Sequence, residues 1–140
     1  MALIRKEDLP KVGYQGMNFV HEKELDILNE LYDSLKSGSS LEEIDKLFEA
    51  FIRDVEEHFA YEEDLMRKAY FFAYDCHSGE HRRVLEELYN LRKKWRKEKN
   101  PEILIDYFEN TFKPWIEEHI LTMDTVTAGW LLRVMGGIPV

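Results

Sequence analysis

A chain of 140 residues, 44% hydrophobic and 13% aromatic, can bury the core of one domain but hardly of two. Its formal charge of −9 argues against a nucleic-acid partner and against docking on anionic lipid, because both need a positive field. No stretch approaches the ~18 apolar residues of a membrane span. The start turns acidic at Glu7 and Asp8 without the apolar core of a signal peptide, and the lone Cys76 permits no internal disulfide, so a cytoplasmic single domain is expected over 1–140.

Residues 1–16 hold Pro10, Gly13 and Gly16 without a helical period and are expected to form an N-terminal arm. Apolar residues at spacings of three and four then define four helices. The first, about 18–36, carries the stripe His21, Leu25, Leu28, Tyr32, Leu35 and stops at Ser37-Gly38-Ser39-Ser40. The second, about 41–68, opens on Ser40-Leu41-Glu42-Glu43, a capping box in which serine and glutamate satisfy each other's amides. Its stripe reads Ile44, Phe48, Phe51, Val55, His58, Glu62, Leu65. The third, about 73–98, reads His77, His81, Val84, Leu88, Leu91, Trp95 and ends in a basic run from Arg92 to Lys97, taken as its solvated last turn. The fourth, about 101–120, starts with Asn100 as N-cap and Pro101 as first helical residue, and reads Ile105, Phe108, Phe112, Trp115, His119. Pro114 should kink it. A short helix over 124–135 would let Trp130, Leu131 and Leu132 cover the bundle end. The expected class is all-α, an up-down-up-down four-helix bundle.

All five histidines fall on these inward stripes. One histidine on an apolar stripe is ordinarily a hydrogen-bonded core residue, but that reading weakens with number. His58 and Glu62, like His77 and His81, stand four residues apart on one helix side. A buried carboxylate costs several kcal/mol unless it is paired or metal-bound, and no lysine or arginine on the stripes faces Glu62. Asp124 follows His119 by five residues, about 140° away on a straight helix. Either Leu121-Thr122-Met123 departs from regular helix, or Asp124 is an ordinary surface aspartate. Five imidazoles and two carboxylates exceed one ion's needs and suit two first-row transition metals. Structural zinc takes four ligands with cysteine common. Neither the H-E-x-x-H zinc signature nor the Glu-x-x-His pattern of carboxylate-rich di-iron bundles is present.

The order His21, His58-x-x-x-Glu62, His77-x-x-x-His81, His119-x-x-x-x-Asp124 resembles the hemerythrin family over about 12–124. Val12-Gly13-Tyr14, His58-Phe59, Glu62-Glu63 with Met66, and Trp115-Ile116 support the likeness. The resemblance implies two iron ions joined by a solvent-derived oxo or hydroxo bridge. One would be held by His77, His81 and His119, the other by His21 and His58, with Glu62 and Asp124 shared. It also implies reversible dioxygen binding at the second ion, in an apolar pocket that Phe59, Trp115 and Ile116 could line. The sequence departs from the family at Asn18, where an aspartate is common, in an arm without tryptophan, and at Pro114.

The expected function is therefore an oxygen carrier, store or delivery protein rather than an enzyme. Its partners would be dioxygen and either an oxygen-using enzyme or an electron donor. The alternatives are a di-iron redox enzyme, or a sensor of oxygen, redox state or nitric oxide built on the same centre. Cys76 is read as a small buried side chain.

Overall fold

The computed structural model describes residues 2–135; Met1, at the start of the expected arm, lies outside them. After a 3₁₀ turn at Lys6–Asp8 come α1 (Gln15–Ser37), α2 (Leu41–Lys68), α3 (Tyr74–Glu98) and α4 (Pro101–Tyr107). A π turn at Phe108–Phe112 leads into α5 (Lys113–His119), and a second at Ile120–Asp124 leads into α6 (Thr125–Val134). Among the described residues there is no strand. Helices consecutive in the chain pack side by side, and α1 also packs on α4, closing the four-helix, up-down ring. No helix of the described residues is long and apolar enough to cross a membrane.

Local chemistry sets the helix ends. Gly38 stops α1 with φ 74°, the left-handed conformation that costs glycine least, and its amide donates to the Ser34 carbonyl. Ser40 Oγ accepts from the Glu43 amide at 3.2 Å, the serine half of the expected capping box. Asn100 Oδ1 accepts from the Glu102 amide at 3.1 Å, with Pro101 beside it. Near the start of α1, a Cβ on Gly16 would collide with the Tyr61 hydroxyl, so glycine lets α1 and α2 close there.

The bundle has two unlike ends. At one, Phe48, Phe51, Phe108, Phe112 and Trp95 are fully buried, with Phe51 meeting Phe108 and Phe112 edge-on at 5.3 Å. The basic run is tied down there: Arg92 and Arg96 pair with Glu49, and the Trp95 indole donates to Asp45. At the other end the same stripes turn polar, at His58 and Glu62 of α2, His77 and His81 of α3, and His119 of α5.

The expected short C-terminal helix is present as α6, but it is not set off from the fourth: backbone dihedrals stay right-handed helical through Phe108, Lys113, Ile120 and Thr125, so 101–134 is one run widened twice. The first widening ends at Phe112, just ahead of Pro114, whose ring clashes with the carbonyl four residues back in a regular helix. Trp130 does cover the end of α2, donating to the Ala69 carbonyl at 2.8 Å, and Leu131 is buried, while Leu132 is 44% exposed. Cys76 is exposed, not buried: it precedes His77 by one residue on α3, so it points away from the interior that His77 faces.

Candidate metal centre

His21, His58, Glu62, His77, His81, His119 and Asp124 are all buried and converge on one spot. Helical spacing delivers the α2 and α3 pairs. Asp124 arrives by the second π turn, which closes hydrogen bonds between residues five apart and so brings residue 124 beneath residue 119. His119 Nε2 stands 3.2 Å from Asp124 Oδ1.

The donor atoms sort by the oxygens of the two carboxylates. Asp124 Oδ1 faces His77 Nε2 at 3.0 Å and His119, whereas Oδ2 faces His21 Nε2 at 3.0 Å. Glu62 Oε1 faces His81 Nε2 at 3.2 Å and His77 Nε2 at 3.5 Å, whereas Oε2 faces His58 Nε2 at 2.7 Å and His21 Nε2 at 3.3 Å. Each carboxylate thus offers one oxygen to the His77–His81–His119 side and the other to the His21–His58 side. Two groups could each hold a metal ion: Glu62, His77, His81, His119 and Asp124 on one side, His21, His58 and Glu62 on the other.

Buried polar atoms without hydrogen-bond partners test whether this is a core network or a ligand shell. Glu62 Oε1, His81 Nε2 and both Asp124 oxygens make no hydrogen bond, although imidazole nitrogens stand 3.0–3.5 Å away. They aim at shared points rather than at one another. Such atoms cost ~1–3 kcal/mol each when left unsatisfied, and cations at those points satisfy them together.

Charge tells the same story. Burial opposes protonation of His21 and His77, yet Asp124 and Glu62 hold their protons and raise both to about 9. Burial opposes protonation of His58 as well, and Glu24 and Glu62 still push it well above its ordinary value. Burial alone would raise Glu62 and Asp124, but the imidazoles hold both carboxyls well below the usual range. The cluster demands positive charge, from protons or from metal.

The outer nitrogens of three histidines are fixed by residues that sequence reasoning missed. His58 Nδ1 meets Glu24 Oε1 at 2.8 Å, His81 Nδ1 meets Glu63 Oε2 at 2.9 Å, and His77 Nδ1 meets Thr127 Oγ1 at 2.7 Å. Such partners fix the tautomer and aim Nε2 at a metal. Glu24 had a readable signal, an acid three residues after His21 and beside the stripe residue Leu25, and the structure buries it. Thr127 had none.

The three expected pocket residues separate. Ile116 lines a small cavity of about 10 Å³ against His21 and Glu24. Phe59 stacks on the His81 ring (3.9 Å, 3° between planes) and Trp115 on the His119 ring (4.5 Å, 19°), so both back the histidines instead of lining that cavity. Asn18, at the position where the family often has aspartate, holds the arm: its side chain accepts from the Val12 amide and donates to the Val12 carbonyl, both at 2.8 Å.

Comparison with known proteins agrees with this geometry. The profile described as the hemerythrin HHE cation binding domain matches residues 12–131. The chain is 40% identical over 126 residues to a protein named bacteriohemerythrin from Aquifex aeolicus (strain VF5), covering 90% of this chain and 95% of that one. A crystal structure of a hemerythrin mutant superposes with a TM-score of 0.80 at 24% identity, covering 94% of this chain and 98% of that one, which shows a shared fold.

Proposed function

Since the chain belongs to the hemerythrin family, we propose that it is a non-haem di-iron protein that binds dioxygen reversibly, as a carrier, store or delivery protein. The observation that carries this reading is the division of Glu62 and Asp124, each with one oxygen toward the His77–His81–His119 side and the other toward the His21–His58 side. Two iron ions would be held there, one by His77, His81 and His119 and the other by His21 and His58, with Glu62 and Asp124 shared and a solvent-derived oxo or hydroxo group completing the centre. Imidazole with carboxylate suits iron among the first-row metals. Two ferrous ions supply the electrons that dioxygen takes up on binding and returns on release.

The residues provide the rest. His77, His81 and His119 fill one side with nitrogen donors, whereas His21 and His58 leave the other with fewer, and that side borders the small apolar cavity. Ile116, Leu25, Leu28, Phe112 and Ile120 make the cavity walls apolar, which excludes water and protons. Glu24, the one carboxylate on that wall, is engaged by His58. A wall whose one carboxylate is already engaged favours reversible binding over turnover.

The test is an optical titration of protein reduced without oxygen, its iron counted, then exposed to oxygen and swept with inert gas. Two irons per chain and a visible charge-transfer band that comes and goes with oxygen are expected. Irreversible oxidation with consumption of peroxide or another substrate would replace this reading with a redox enzyme.

A further inference from the structure

The cavity beside His21 holds about 10 Å³, at the lower limit for a single water. A diatomic ligand or a small anion reaches the His21 side only if a wall moves. Most of that wall is bundle core, but Ile4 and Leu9 belong to the N-terminal arm. A second, narrow crevice touching His21 also has the arm as one side, through Lys6, Leu9 and Pro10. The arm is therefore the cover of this histidine, whose Nδ1 is buried without a partner.

The arm buries Ile4 and Leu9 in the core and is pinned by hydrogen bonds at two places. Asn29 of α1 holds its start like a rung of sheet: Oδ1 accepts from the Leu3 amide at 2.9 Å and the Ile4 amide at 3.3 Å, while Nδ2 donates to the Ile4 carbonyl at 2.9 Å. Asn18 holds Val12 in the same manner. Between these pins the hydrogen bonds are local, Asp8 to Arg5 and Leu9 to Lys6, and the tie to α1 is an exposed 3.7 Å ion pair from Lys6 to Asp26. Surface pairs of this kind contribute little.

We propose that residues 4–9 are the moving wall through which a small ligand reaches the His21 side of the centre, and that Asn29 is the latch holding it shut. Asn29 acts on access through Ile4 and touches no candidate metal ligand. This inference rests on the di-iron reading above.

The experiment measures azide binding to the oxidised, iron-loaded full chain by stopped flow. Asn29→Ala removes all three hydrogen bonds and is expected to speed azide association and dissociation together by at least roughly tenfold, the effect of losing a single ordinary hydrogen bond. Kd and two irons per chain stay unchanged, and the Leu3 and Ile4 amides exchange faster with solvent. Asn29→Asp retains the acceptor and loses the donor, so it falls between, and it serves should the alanine variant not fold. Faster amide exchange with unchanged azide rates would overturn the latch, as would a shift in Kd that accounts for the rate change. A wild-type chain that loads no iron would end the di-iron reading and this inference together, whereas unchanged azide rates in an iron-loaded variant would end the latch alone.

Discussion

Glu24 bears on a metal from one imidazole away. By accepting from His58 Nδ1 at 2.8 Å it fixes which nitrogen of the ring carries the proton and makes Nε2 a stronger donor. Glu24→Ala is expected to weaken metal binding roughly 10- to 100-fold, read by competition against a graded chelator. An unchanged affinity would leave Glu24 as buried packing. Ile116→Ala enlarges the cavity beside His21 and is expected to shorten the lifetime of the oxygenated form several-fold, followed by loss of its visible band. The inner ring of the site was legible because imidazoles and a carboxylate are costly to bury on apolar stripes unless a cation binds them. The outer ring was harder: Glu63 is adjacent to a candidate ligand yet faces a different helix, and Thr127 meets His77 across 50 residues of sequence. Cys76 departs from expectation because its neighbour His77 is buried, and consecutive helical residues point different ways.

Among the elements, the π turn at Ile120–Asp124 carries most consequence for the site. Its Ile120 carbonyl is taken by the Thr125 hydroxyl at 2.7 Å as well as by the Thr125 amide. Thr125→Val keeps the shape and removes the hydroxyl, so a loss of about 1 kcal/mol is expected, together with weaker metal retention as Asp124 loosens. Urea unfolding with iron counting measures both, and lowered stability with unchanged retention would separate the turn from the site. At the end of α3, Lys99 adopts φ 53°, ψ 33°, where a side chain costs energy that glycine avoids. Lys99→Gly is expected to stabilise the protein by up to about 1 kcal/mol, seen as a rise in Tm. Helix ends at Gly38, Ser40 and Asn100 could be read from composition because capping is local. The π turns left fainter traces: Pro114 marked a break beside the first, and the second showed only in the five-residue step from His119 to Asp124, which a regular helix cannot bring together.

For the molecule as a whole, the centre links stability to both pH and metal. In a metal-stripped chain, His21 and His77 are raised to about 9 from 6.5. Their contribution is complete below pH 6.5 and is lost as pH rises through about 9. Glu62 and Asp124 are lowered from 4.5 and 3.8, so theirs is present above those values and fades as pH falls below them. The stripped chain is therefore expected to be most stable between about pH 4.5 and 6.5, with Tm declining toward pH 9. The iron-loaded chain, with the same nitrogens engaged by metal, should keep its Tm across that alkaline range. A flat profile for the stripped chain would show that protons do not stand in for metal. The three tryptophans add an optical consequence. Trp95 lies among the aromatic layers at the far end and Trp130 against the end of α2, but Trp115 lies face to face with His119 at 4.5 Å. Light absorbed by that one indole passes readily to any absorbing centre bound at His119, so the native fluorescence of the unlabelled protein is a gauge of how much of it is loaded.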